Sequence, residues 1–145
     1  MYSLQELYRI GHGPSSSHTM GPRNAATRFL ARNTEAVCFE VILYGSLAAT
    51  GKGHMTDHAI LDVLGESRTT IIWEPKTFLP FHPNGMKFRA LDAASVCIDE
   101  WTVYSVGGGA LVEEGQAVIE HKQVYKMNTA TEILSWCITT GKSYW

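Results

Sequence analysis

The chain has 145 residues, 45% hydrophobic and 18% charged, with a formal net charge of −2. One folded domain over residues 1–145 is expected, long enough to bury a core, and the lack of a basic stripe argues against nucleic acid as a partner. The start, Met1-Tyr2-Ser3-Leu4-Gln5-Glu6-Leu7-Tyr8, has neither a positive leader nor a long apolar run, so no signal peptide and no membrane span are expected, and a cytoplasmic location is.

The pattern predicts a helix over residues 23–31, then a β-branched, apolar strand over 35–44. Residues 45–53, rich in glycine, read as a flexible connection. Ala59, Ile60, Val63 and Leu64 fall at helical spacing, which predicts a helix from residue 54 or 56 to 64, with Thr56 or Asp57 as cap and Gly65 as stop. A short strand follows over 69–73. Pro75, Pro80, Pro83 and Gly85 then break the chain into loop. Residues 86–99 read as one long strand, with further strands over 100–106 and 117–124. Gly107-Gly108-Gly109 and Glu113-Glu114-Gly115 separate the last two. Asn128 or Thr129 caps a final helix over 131–139, stopped by Gly141. Long strands with interspersed helices and tight connections predict an α+β fold with a mixed or antiparallel sheet packed with helices. The end, Ser143-Tyr144-Trp145, has no polar tail and points to a subunit boundary or to a piece of something longer.

Cys38, Cys97 and Cys137 are far apart, without the close spacing of zinc or iron–sulfur ligands. Cys38 and Cys97 sit in strand-like runs and are expected to be small buried hydrophobes, reduced in a cytoplasm.

Chemistry is concentrated in four polar segments. Gly13-Pro14-Ser15-Ser16-Ser17-His18-Thr19-Met20-Gly21-Pro22 precedes a helix. Hydroxyls and free backbone N–H groups at a helix start suit an anion, although a serine-rich N-cap explains the same residues. Thr50-Gly51-Lys52-Gly53-His54-Met55-Thr56-Asp57 places an imidazole between glycines, which let backbone approach a ligand; a capped glycine loop is the plainer reading. It lacks the glycine spacing and the Lys-Ser/Thr pair of a phosphate loop. Phe81-His82-Pro83-Asn84-Gly85-Met86 is a rigid turn carrying an imidazole and an amide, or simply a surface turn. Tyr104-Ser105-Val106-Gly107-Gly108-Gly109-Ala110 gives a ligand room, or makes a loose hairpin. His12 precedes the serine run and is a candidate for the same site, whereas His58 and His121 are expected to face solvent. His18, His54 and His82 have no accompanying carboxylate pattern, so a protein-only metal site is not expected.

In order, these segments resemble motifs of the β domain of the iron–sulfur-dependent bacterial L-serine dehydratases. The resemblance rests on residues 13–22, Gly45-Ser46-Leu47, residues 50–57, 82–86 and 105–109, and runs over nearly the whole chain. Each motif alone is weak; the ordered set is specific. Met55 departs from the usual glycine, and His12 from the usual aliphatic residue. The resemblance implies a fold similar to an allosteric substrate-binding domain of some D-3-phosphoglycerate dehydrogenases. It implies conversion of L-serine to pyruvate and ammonia. It also implies a [4Fe–4S] cluster bound by a partner α domain or α subunit and not by this chain, in a homo-oligomer of the full enzyme. His54 is expected to be the catalytic base, with His82 second. Ser15, Ser17, His18, Thr19, Thr56, Asn84 and Ser105 are expected to bind substrate. The alternative is a regulatory lobe that binds a small anionic effector without chemistry.

Overall fold

The computed structural model describes residues 14–115, 127 and 129–143. The chain forms two compact units, residues 11–118 and residues 1–10 with 119–145. The larger unit runs α1 (Met20–Arg32), β1 (Cys38–Tyr44), α2 (Gly45–Thr50), a 3-10 turn (Gly51–His54), α3 (Thr56–Leu64), a second 3-10 turn (Glu66–Arg68), β2 (Thr69–Glu74), β3 (Gly85–Leu91), β4 (Cys97–Gly107) and β5 (Ala110–Val112). Its sheet has the order β2-β1-β3-β4-β5. Only β1 and β2 are parallel; β1–β3, β3–β4 and β4–β5 are antiparallel. The class is α+β with a mixed sheet.

Alternation along the strands sorts one face for burial. Phe39, Val41 and Leu43 of β1, Met86, Phe88 and Ala90 of β3, and Val103 of β4 are fully buried or nearly so. Residues three and four apart on α1 cover them: Gly21, Pro22, Ala25, Ala26 and Phe29 are all buried. Thr56, Ile60 and Leu64 make the same stripe on α3. Phe29 is the hub, its ring centroid 5.4 Å from Phe88, 6.0 Å from Phe39 and 6.2 Å from Trp101. Burying such a ring is worth about 1.5–3 kcal/mol. The opposite sheet face is polar, with Arg89 paired to Glu40 and Lys87 to Glu100 at 2.9 Å.

The C-terminal end of α1 is tied to β4. Arg32 donates to both Asp99 carboxylate oxygens, at 2.7 and 3.0 Å, and Asn33 Nδ2 donates to Oδ2 at 2.7 Å. Burial pushes the Asp99 carboxyl up, but these donors outweigh it and hold the group below the ordinary carboxylate range.

Four expectations change. Residues 45–53 are not a flexible connection but α2 and a 3-10 turn. Gly45 turns the chain off β1 with φ +49, and Leu47 and Ala48 then bury an apolar face. The long strand over 86–99 is a hairpin. Asp92 turns it by accepting from the amides of Ala94 (2.8 Å) and Val96 (2.9 Å), with Ser95 at φ +60, so Cys97 opens β4 instead of closing β3. Cys38 and Cys97 are exposed, not buried. Cys38 stands on the face of Glu40, opposite Phe39, and Cys97 follows the exposed hairpin turn. Finally, Ala110–Val112 is a short strand that reading by composition missed. The strand expected over 117–124 lies outside the described residues, as do His12 and His121.

The smaller unit contains α4 (Ala130–Thr140). Thr129 is its cap, accepting from the Glu132 amide at 3.2 Å while Glu132 Oε2 accepts from the Thr129 amide at 3.0 Å. Gly141 closes it in the left-handed conformation, φ +67.

Candidate functional site

Strand direction gathers the polar segments at one end of the sheet. β1 and β2 run one way with β4, and β3 runs the other way. The carboxyl ends of β1 and β4 therefore share an edge with the amino end of β3. Residues 45–57 leave β1 there, His82-Pro83-Asn84 enter β3 there, and Ser105 to the triple glycine finish β4 there. The turn before α1 reaches the same edge. Ser16 Oγ accepts from the Gly108 amide at 3.2 Å, and Asn24 Nδ2 donates to the Gly109 carbonyl at 2.9 Å.

His18 stands at the middle of a hydroxyl network. Its Nδ1 lies 3.0 Å from Ser17 Oγ and 3.2 Å from Ser15 Oγ, which are 3.3 Å apart. Its Nε2 lies 3.0 Å from Thr50 Oγ1. The ring of His54 is 4.7 Å away, tilted by 35°. Burial, reinforced by the neighbouring His54, lowers the His18 pKa below its ordinary value of about 6.5; a bond to the Ser46 backbone opposes the shift. His18 is therefore neutral near pH 7.

The two candidate catalytic imidazoles differ in tautomer. His54 Nδ1 is 2.9 Å from the Thr50 carbonyl, which can only accept. Nδ1 therefore carries the hydrogen, and Nε2 keeps its lone pair. His82 Nδ1 accepts from the Asn84 amide at 3.1 Å, so its hydrogen is on Nε2. Neutral His54 has a free basic nitrogen; neutral His82 offers a donor. Asn84 also fastens the turn to β4: its carbonyl accepts from the Ser105 amide at 3.0 Å and its Nδ2 donates to the Ser105 carbonyl at 3.3 Å. The Pro83 carbonyl accepts from the Ser46 amide at 3.0 Å, joining this turn to α2. Ser15, Ser17, His18, His54, His82, Asn84 and Ser105 thus belong to one connected set of loops.

Not every expected donor is free to meet a ligand. Thr19 Oγ1 donates to the Ser15 carbonyl at 2.6 Å. The amides of His18 and Thr19 also bond to Ser15, and that of Gly21 to Ser16, so these backbone groups are used within the turn and not held open for an anion. Thr56 and Ser105 are fully buried, and neither hydroxyl has a hydrogen-bond partner among the described residues. Each packs on a glycine. A Cβ at Gly21 would lie 2.0 Å from Ser105 Oγ, and one at Gly51 would lie 3.1 Å from Thr56 Oγ1 and 2.7 Å from the Trp73 ring. Met55 adopts the left-handed conformation, φ +60, that glycine takes without strain, and its side chain is exposed.

The sequence profile of the serine dehydratase beta chain family matches residues 3–68 and 62–116. This chain belongs to that family. Among serine dehydratases, L-serine dehydratase 1 of Escherichia coli (strain K12) is 32% identical over 188 aligned positions, covering 99% of this chain and 41% of that protein. L-serine dehydratase of Streptomyces coelicolor (strain ATCC BAA-471 / A3(2) / M145) is also 32% identical over 188 positions, covering 97% of this chain and 41% of its own length. L-serine dehydratase of Mycobacterium bovis (strain ATCC BAA-935 / AF2122/97) is 36% identical over 152 positions, covering 77% and 33%. The chain spans about two-fifths of the length of the first two serine dehydratases.

Sequence reading missed Thr50, whose hydroxyl and carbonyl touch His18 and His54 respectively. The signal was available in Ser46, Thr50 and His54, spaced four apart. That is the helical i to i+4 step, but it was hidden while the segment read as a loop. No group of three or more His, Cys, Asp or Glu residues able to hold a metal ion occurs among the described residues. No helix among them is long and apolar enough to cross a membrane.

Proposed function

We propose that this chain is the β lobe of an L-serine dehydratase, working with an α domain or α subunit to convert L-serine to pyruvate and ammonia. Membership of the serine dehydratase beta chain family supports the reaction class, and coverage of about two-fifths of the relatives' length supports a lobe. The described residues do not fit a [4Fe–4S] cluster: Cys38 and Cys97 are exposed on the sheet and no ligating group of three is present among them. In this reading the cluster belongs to the α part, and this chain contributes substrate binding and proton transfer.

The observation that carries the assignment of roles is the His54 tautomer. With Nδ1–H held by the Thr50 carbonyl, Nε2 is poised to take the Cα proton of L-serine. The C–H electron pair becomes the Cα–Cβ double bond as the Cβ–O bond breaks, and the departing hydroxide takes up a proton, balancing the one removed by His54, and leaves as water. The 2-aminoacrylate so formed tautomerises to an imine, and water hydrolyses it to pyruvate and ammonia. His82, with its hydrogen on Nε2, serves as a donor to substrate, and the lone pairs of Ser15 and Ser17, at the His18 ring, serve as acceptors.

The test is reconstitution with a cysteine-bearing α segment and measurement of pyruvate from L-serine. His54→Ala is expected to lower turnover by about 10²–10⁴-fold, as loss of a general base does, with the fold intact by circular dichroism. Turnover kept in His54→Ala but lost in His82→Ala reverses the roles. L-serine binding without turnover in the reconstituted complex favours the effector-binding lobe.

A further inference from the structure

We propose that Thr50 is a positioning residue that fixes His18 in the Nε2–H tautomer, so that Nδ1 receives a hydrogen from the Ser15–Ser17 pair. The argument is one of hydrogen counting. The Thr50 hydroxyl has one hydrogen, and Oγ1 donates it to the Ser46 carbonyl four residues back, at 2.9 Å. That is the usual bond of a threonine within a helix. Toward His18 the same oxygen, 3.0 Å from Nε2, then has only lone pairs to offer. An unprotonated Nε2 would face lone pair against lone pair at the Thr50 oxygen, so the hydrogen belongs on Nε2.

Nδ1 of the neutral ring is then an acceptor. The two groups before it are hydroxyls: Ser17 at 3.0 Å and Ser15 at 3.2 Å. Burial and the adjacent His54 keep the ring neutral near pH 7, which is the only state in which a tautomer is defined. Whichever serine donates to Nδ1 has no hydrogen left for a ligand and can only accept from one. Thr50, which touches neither serine among the bonds seen, thereby sets the hydrogen-bonding sense of the serine pair. The opposite tautomer would release that one hydroxyl hydrogen toward a ligand.

This inference rests on reading the loop cluster as the substrate site, but its test reads the imidazole itself with no substrate present. The full chain, labelled with ¹⁵N-histidine, is followed by long-range ¹H–¹⁵N correlation, with His18→Gln used to assign the His18 signals. In the wild-type chain at neutral pH, His18 is expected to show a pyridine-type Nδ1 and a pyrrole-type Nε2. Thr50→Ser, which keeps the hydroxyl, is expected to retain that pattern. Thr50→Val, which replaces the oxygen by a methyl group, is expected to move both nitrogens toward the averaged positions of a mixed tautomer. A wild-type His18 with pyrrole-type Nδ1 overturns the proposal whatever the variants do. So does a Thr50→Val spectrum identical to wild type, since Thr50 would then only bond back to its own helix. Should the reconstituted enzyme fail to act on L-serine while the tautomer pattern holds, the function is wrong and the positioning role stands.

Discussion

Replacing Gly21 by alanine probes the closest approach of α1 to the sheet. A Cβ there would stand 2.0 Å from Ser105 Oγ and 2.8 Å from Ser105 Cβ, against 3.4–4 Å for ordinary contact. Rotating the serine relieves the first clash and not the second, because Cβ is fixed to the strand. The helix must then lift off β4, which disturbs Ala25 and Phe29 in the core below. Overpacking of this kind costs about 1–3 kcal/mol, and the helix gains at most about 1 kcal/mol from exchanging glycine for alanine. A net loss of about 1–2 kcal/mol is expected. Ser105→Ala should be neutral or mildly stabilising, since the buried hydroxyl it removes has no partner among the described residues. The double change Gly21→Ala with Ser105→Ala should remain destabilised, because the Cβ contact persists. Gly21→Ala with Ser105→Gly leaves Ser105 Cα, at 3.7 Å, as the nearest of the three contacts, and should recover most of the loss. Urea unfolding followed by circular dichroism supplies the cycle. A Gly21→Ala midpoint equal to wild type, or no coupling between positions 21 and 105, would refute the reasoning.

Acidification should weaken the fold through His18. Its folded pKa is lowered, so the unfolded chain binds more protons, and stability present above about pH 6.5 is lost as pH falls through the lowered value. The slope of thermal midpoint against pH in that window should be shallower in His18→Gln. Asp99→Ala should cost about 1–2 kcal/mol by urea denaturation, since it removes a bidentate arginine bond and leaves the buried Asn33 short of an acceptor. Asp99 contributes above the ordinary carboxylate pKa and loses its contribution as pH falls through its lowered value, so the deficit of the variant should shrink in strong acid.

The elements legible in the sequence were those whose apolar period is undisturbed. α1, β1, α3 and β2 fall where spacing places them, and α4 starts and stops at its Thr129 and Gly141 signals. α2 was hidden because Gly45, Gly51 and Gly53 resemble a loop by composition. Their purposes differ: Gly45 makes a left-handed turn, whereas Gly51 is an ordinary right-handed residue kept small by Trp73 and Thr56. The β3–β4 turn was hidden because it uses the Asp92 carboxylate in place of glycine or proline. In the candidate site, residue type pointed to loops that the fold gathers at one end of the sheet but could not tell a hydroxyl in contact with an imidazole, as at Ser17, from one sealed under a helix, as at Ser105. That difference is made by Gly21, 84 positions away along the chain, and no local pattern carries it.

The link between α3 and β2 has a consequence for how such a lobe can change over time. The two matched segments of the family profile meet at residues 62–68, which include the Glu66–Arg68 turn, and the alignments with the relatives are longer than this chain. Because β2 runs parallel to β1, that turn lies at the amino ends of the two strands, the far side of the sheet from His18, His54, His82 and Asn84. Residues can be gained or lost there without shifting the strand ends that hold the histidines. Room for a change in length and the polar loops thus lie at opposite poles of one sheet, and an engineer wishing to graft a tag or reporter into this lobe would choose Gly65 for the same reason.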